Sequence, residues 1–127
     1  MSDVQAVLHH FTSAWDRHDA DRLASLWADD GVLNHPWGWR AVGRDAVREL
    51  LAQEHRSNMA QSSLQLLGVA VDHVRSDIAV VDIEGVLRDV RAPHGRLYDL
   101  THHLSAVMTR AGQGEWHIQT MSAFPNA

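Results

Sequence analysis

Apolar positions near the start of the chain recur at the spacing of one helical face. Val4, Val7, Leu8, Phe11, Ala14 and Trp15 make one stripe, and the i, i+3, i+4 rhythm predicts an amphipathic helix. Ser2 or Asp3 suits its N-cap. Asp19 predicts the cap of a second short helix, with Leu23, Leu26 and Trp27 on one face and Asp29-Asp30-Gly31 as its end. Residues 32–37 form a strand-like run closed by Pro36, which suits an edge strand. Trp37-Gly38-Trp39-Arg40 reads as a loop. A third helix is expected from Arg44 to His55, with Val47, Leu50 and Leu51 inward.

The second half changes rhythm. Segments 63–74, 77–90, 96–110 and 115–124 are rich in Val, Ile, Leu and Thr. Turn signals at Arg75-Ser76-Asp77, Ala92-Pro93-His94-Gly95 and Ala111-Gly112-Gln113-Gly114 separate them. Long strands on short connections predict an antiparallel meander, and helices followed by strands predict an α+β domain. Alternation assigns faces. Tyr98, Leu100, His102, Leu104, Ala106 and Met108 form one side of the third long strand; Asp99, Thr101, His103 and Ser105 form the other. Ala79, Val81, Ile83 and Leu87 are the apolar set of the second. In the last strand Trp116, Ile118, Thr120, Ser122 and Phe124 share a face, which leaves Met121 and Ala123 outward with Val80 and Val86. One bulge reverses part of any such assignment.

Composition narrows the function. The chain has 127 residues, so residues 1–127 are read as a single domain, and a net charge of −5 with no Lys/Arg cluster argues against nucleic acid or an anionic membrane surface. No cysteine is present, which excludes disulfides and thiol nucleophiles. No apolar run is long enough to span a bilayer and no secretory signal is visible, so a cytoplasmic location is expected. There is no Gly-rich phosphate loop and no dinucleotide fingerprint, so no cofactor is expected. Ten histidines invite a metal reading. No His-Glu-x-x-His or His-x-His occurs, and the rings of His9-His10 and His102-His103 point apart as neighbours do, so no metal site is expected either.

The run from Phe11 to Asp30, then Gly31-Val-Leu-Asn-His-Pro-Trp-Gly38, Gly43-Arg-Asp-Ala-Val-Arg48 and Gly114-Glu-Trp-His-Ile118, resembles SnoaL-like proteins of the nuclear-transport-factor-2-like superfamily. The SgcJ/EcaC-type branch is the most similar. The resemblance implies a cone-shaped α+β domain, with three N-terminal helices packed on a curved, mostly antiparallel sheet around a pocket. It also implies a homodimer joined by the outer sheet face. The superfamily holds isomerases, polyketide cyclases, epoxide hydrolases, dehydratases and non-enzymatic binders, so function must be argued from the site. The stretch Asp29 to Gly38 is similar to one in ketosteroid isomerase, and His35 falls where that enzyme carries its catalytic base. That enzyme's oxyanion donors are absent: Phe11 stands at one position, and Leu104 or Ala106 at the other.

Two histidines are therefore the catalytic candidates. An imidazole near neutrality takes a proton at working pH, which suits His35 as general base. His102 is a lone polar group on an apolar strand face, placed to meet His35 or a ligand oxygen. Asp16, Asp30, Asp82, Glu84 and Asp99 are candidate orienters of a histidine. Phe11, Trp15, Trp27, Leu33, Trp37, Trp39, Arg40, Tyr98 and Ser122 are the candidate ligand-binding residues, with Trp15 and Trp27 on helical core faces and Trp37 and Trp39 at the pocket mouth. The expected partner is one small apolar or aromatic molecule. It is either turned over by a cofactor-independent isomerase, cyclase or hydrolase, or simply bound and carried.

Overall fold

The computed structural model describes residues 3–35 and 38–125. Asp3 accepts a hydrogen bond from Ala6 N at 2.8 Å and starts helix α1 (Val4–Asp16). The whole predicted stripe, Val4 to Trp15, is buried. Asp19 likewise caps α2 (Ala20–Ala24) through Arg22 N. This helix ends sooner than its pattern suggests. The Leu26 carbonyl accepts from Ile118 N, and Trp27 pairs with Ile118 across a strand ladder. Strand pairing thus takes the segment that would have made another helical turn. Trp27 consequently opens strand β1 (Trp27–Asn34) and does not lie on a helix.

Strand β2 (Arg40–Val42) follows at once, so Arg40 belongs to a strand and only the residues before it to a turn. That turn is tied by His35 N donating to Trp39 O at 2.7 Å. Pro36 and Trp37 lie outside the described residues. Helix α3 (Arg44–His55) keeps its expected bounds. Strands β3 (Ser63–Arg75), β4 (Ile78–Arg91), β5 (Leu97–Thr109) and β6 (His117–Pro125) complete one sheet, in the order β2-β1-β6-β5-β4-β3. All neighbours run antiparallel except β1 and β6, which are parallel. Strand β1 is therefore interior, and the expected edge strand is β2 instead. The pairing of Trp27 with Ile118 draws β1 into the middle of the sheet, and Gly31 makes room for it. A Cβ at Gly31 would stand 2.8 Å from the Trp27 ring and 3.0 Å from the Ile118 carbonyl.

Helix α1 packs on β3 and α3 on β1, so the helices cover one face of the sheet. Between the layers lie Leu23, Trp27, Val47, Ile83, Met108 and Ile118, all essentially inaccessible to solvent. Complete burial of such side chains is worth roughly 1.5–3 kcal/mol each. Alternation holds along β5, where His102, Leu104, Ala106 and Met108 are buried. It holds along β4 until Asp89, whose φ of 60° marks a bulge that returns Val90 to the interior.

In β6 the expectation fails for a local reason. The register slips between the pairs Val107–Thr120 and Met108–Ile118, leaving Gln119 as an extra residue. Ile118 stays inside, but beyond the slip Met121 and Ala123 face inward, while Ser122 and Phe124 join the outer face. Val86, expected outward, is also buried.

Candidate active site

A cavity of about 90 Å³ lies between the helices and the sheet. Its walls include Phe11 and Trp15 from α1, Trp27 and Leu33 from β1, Leu51 and Glu54 from α3, His102 and Leu104 from β5, and Met121 from β6. His35, just past the end of β1, also faces it. Six expected residues thus converge: Phe11, Trp15, Trp27, Leu33, His35 and His102. The aromatic walls present carbon, because their indole N–H groups are used elsewhere. Trp15 Nε1 donates to Ser62 Oγ at 2.9 Å, and Trp27 Nε1 donates to the Val32 carbonyl at 3.1 Å. Phe11 stacks near both rings.

Four expected residues lie elsewhere. Trp39 is 62% exposed and lines a surface groove with Arg40, Leu50, Gln53 and Arg56. Tyr98 is exposed beside His94 and Arg96, where the β4–β5 hairpin runs past the helical cover. Ser122 faces outward because of the β6 slip and accepts from Asn34 Nδ2 at 3.1 Å. Trp39 still touches the site from outside, its ring centroid 5.0 Å from that of His35.

His35 Nε2 lies 3.3 Å from Glu54 Oε2, with both side chains mostly shielded from solvent. When Nε2–H donates to the carboxylate, the neutral ring carries its lone pair on Nδ1. A carboxylate that holds an imidazole in one tautomer is the arrangement a general base needs. Glu54 was not among the expected orienters. Its signal was present, since it stands seven residues after Val47 and three after Leu51, on the inward stripe of α3. Of the five acids expected to orient a histidine, Asp82 and Glu84 do hold one, His103, and the other three bond elsewhere. Asp16 accepts from Leu64 N, Asp30 from Gln119 and Asp99 from Arg88, while Asp82 and Glu84 serve His103 on the outer face.

His102 is 5% exposed. Its ring lies over Gly85, directly across the β4–β5 ladder. A Cβ at that position would come within 3.2–3.3 Å of the imidazole, so the glycine makes room for it. Nδ1 is buried and has no hydrogen-bond partner among the described residues. Burial pushes the His102 pKa below the usual imidazole value, against upward pulls from a close approach of the Leu100 backbone, which falls short of hydrogen-bond geometry, and from the charge of Glu84. His102 is therefore neutral at pH 7. Strand β6 separates β1 from β5, and strands lie about 4.8 Å apart, so His35 and His102 are roughly 10 Å apart across the sheet, with a further offset along it because Asn34 pairs with Ser122 and Ser122 with Ser105.

On the far side of Trp15, His55 packs edge-on against its ring, and His55 Nδ1 lies 2.9 Å from His18 Nδ1. Burial, helped by His18, pushes the His55 pKa down to about 4. Among the described residues no cluster of three or more histidines and acids is placed to hold a metal ion. Among them, too, no helix is long and apolar enough to cross a membrane.

Comparison with known proteins follows the same architecture. The family model of the SnoaL-like domain matches residues 7–117. Solved structures with the same fold include a protein with a cystatin-like fold from Caulobacter vibrioides, at TM-score 0.88 and 16% identity over 98% of this chain and 87% of that one. A ketosteroid isomerase-like protein from Erwinia carotovora atroseptica matches at TM-score 0.79 and 20% identity, over 98% and 94% of the two chains. A protein from Novosphingobium aromaticivorans, provisionally named a scytalone dehydratase, matches at TM-score 0.80 and 17% identity, over 98% and 82%. At these identities the likeness shows the fold alone. A search of curated proteins finds none that matches this sequence.

Proposed function

The chain belongs to the SnoaL-like domain family, and from that premise we propose that it is a cofactor-independent enzyme that moves a proton on a small apolar molecule held in the cavity. One observation carries this reading: the buried His35–Glu54 couple opens onto a space whose walls are otherwise almost entirely carbon. His35 is the base. Glu54 is a positioning residue that fixes its tautomer and stabilises the imidazolium once the proton arrives. The proton leaves a carbon between a ligand carbonyl and a β,γ carbon–carbon double bond, its electron pair moves through the conjugated system toward the oxygen, and return of the proton at the far end of that double bond, with the double bond moved beside the carbonyl, completes an isomerisation. The names carried by structural neighbours, an isomerase-like protein and a dehydratase, fit chemistry of this kind.

The test requires no knowledge of the product. Small cyclic ketones are incubated with the protein in D₂O at pH 7, and loss of α-protons is followed by NMR. Exchange should exceed the buffer rate. His35→Gln should lower it by about 10²–10⁴-fold, the usual share of a general base, and Glu54→Gln by about tenfold. Exchange no faster than buffer, or unchanged in His35→Gln, removes the catalytic reading. The alternative is a carrier that holds the same molecule without turnover. It is favoured by Phe11 and Leu104, which put carbon where an oxyanion donor is expected.

Pairing of two copies through the outer sheet face belongs to the same proposal. Exposed Phe124 and half-buried Val80 and Val107 supply apolar contact there. A monomer in sedimentation at micromolar concentration would remove it.

A further inference from the structure

The cavity carries more information about its guest than the chemistry above requires. Its volume is about 90 Å³, whereas a dry apolar cavity of about 150 Å³ admits benzene. The space here is smaller than that, so even one ring requires the walls to give a little, and a fused ring system requires them to part much further. No Lys or Arg is among the described lining residues. The buried carboxylate there, Glu54, is already engaged by His35. An anionic guest would lose its hydration and gain no cation, a cost of several kcal/mol for a charge left unpaired. A purely apolar guest would also leave a cost unpaid, because His102 is nineteen-twentieths buried and Nδ1 has no partner among the described residues. Native proteins seldom leave such a group unsatisfied.

We infer that the site selects an uncharged molecule of about one ring bearing a single oxygen, and that His102 is the group that hydrogen-bonds that oxygen. The inference rests on the cavity being the ligand site, but not on turnover. A carbonyl accepts from the ring N–H and a hydroxyl donates to the ring lone pair, so a neutral imidazole serves either. Gly85 is part of the device, since an added Cβ would shift the imidazole by a few tenths of an ångström.

The test uses four probes with the full chain: cyclohexanone, methylcyclohexane, cyclohexanecarboxylate and 1-decalone. Binding is read from chemical-shift titrations of the tryptophan indole N–H groups and the histidine ring protons. Cyclohexanone should bind about tenfold tighter than methylcyclohexane, the difference one hydrogen bond makes. The carboxylate and the fused-ring ketone should bind weakest. His102→Leu should erase the tenfold preference, while His102→Gln, which keeps a hydrogen-bonding group, should retain part of it. Gly85→Ala, with the native imidazole displaced, should reduce it and serves if His102→Leu does not fold.

Equal binding of cyclohexanone and methylcyclohexane, a preference that survives His102→Leu, tightest binding of the carboxylate, or no binding of any probe would each overturn the inference. Ketone binding that depends on His102 but shows no proton exchange supports the inference while sinking the catalytic reading. Proton exchange in a chain that prefers the carboxylate would do the reverse.

Discussion

His102 and His103 are joined by one peptide bond on β5, yet their rings occupy opposite environments. His102 turns into the cavity, almost wholly buried, and its pKa is pushed below the ordinary value by loss of water. His103 turns outward and sits between two carboxylates, with Nδ1 2.7 Å from Glu84 Oε1 and Nε2 3.2 Å from Asp82 Oδ1. Hydrogen bonds to Glu84 and then Asp82 raise its pKa above the ordinary imidazole value. Strand alternation alone thus puts one histidine where burial disfavours its charge and its neighbour where two carboxylates favour it. Histidine content therefore says little about chemistry until each ring has been given a side of the sheet.

The comparison predicts a large asymmetry under charge substitution. His102→Asp places a carboxylate in a space with no cation, and chemical denaturation should show a loss of about 3–5 kcal/mol, the range for an uncompensated buried charge. His103→Asp adds a third acid to a solvated cluster, and its Tm should fall by only about a few degrees. Equal losses for the two variants would mean that β5 is not sided as described.

Acid should separate the two classes of histidine next. His55 and His102 have folded pKa values below the unfolded 6.5. Their contribution is complete above pH 6.5, and it is lost as pH falls from 6.5 towards their folded values, about 4 for His55. His103 has the opposite sign: its contribution is present below 6.5 and is lost as pH rises through its raised folded value. Urea midpoints from pH 8 to pH 4 should therefore fall in the wild-type chain. They should fall less steeply in His102→Leu and more steeply in His103→Leu. Identical slopes for the three proteins would refute the assignments.

The smallest effect is the sharpest in position. Glu84→Gln removes the shorter of the His103 contacts and should lower the His103 pKa in an NMR titration. His102, which feels Glu84 only through its charge, should fall by less, and the cavity's ligand affinity should stay within about twofold. An equal fall at both rings would show that the two faces are not distinct environments.

Much of the fold could be read from periodicity. The α1 stripe, the bounds of α3, the long strands and the inward set on β5 all follow from apolar spacing, because burial of one face is a local demand that a repeating pattern can express. His102 can be found in the same way, as a polar residue on a face meant for the interior, whereas His35 is singled out by the resemblance of Asp29 to Gly38 to ketosteroid isomerase. The misreadings have tertiary causes. Trp27 was placed on a helix because Leu23, Leu26 and Trp27 keep helical spacing, yet pairing with Ile118 draws it into β1. Ser122 was placed in the pocket because a slip at Gln119 leaves no mark in the alternation. Glu54 was passed over because a charged residue at the end of a helical stripe usually reaches solvent.

The sequence by itself determined the class of the domain, the inward faces of most elements and the absence of thiol chemistry, since these depend on which residues are present and how they repeat. The tertiary structure alone decided that Glu54 meets His35 and that Met121 replaces Ser122 at the cavity wall. It alone also left His102 Nδ1 over a glycine with no hydrogen-bond partner among the described residues. Those outcomes depend on strand register and on how a helix lies across a sheet, and residues far apart in the chain set both. A change of one residue in register turns a side chain from solvent to the interior without changing the pattern that local reading relies on.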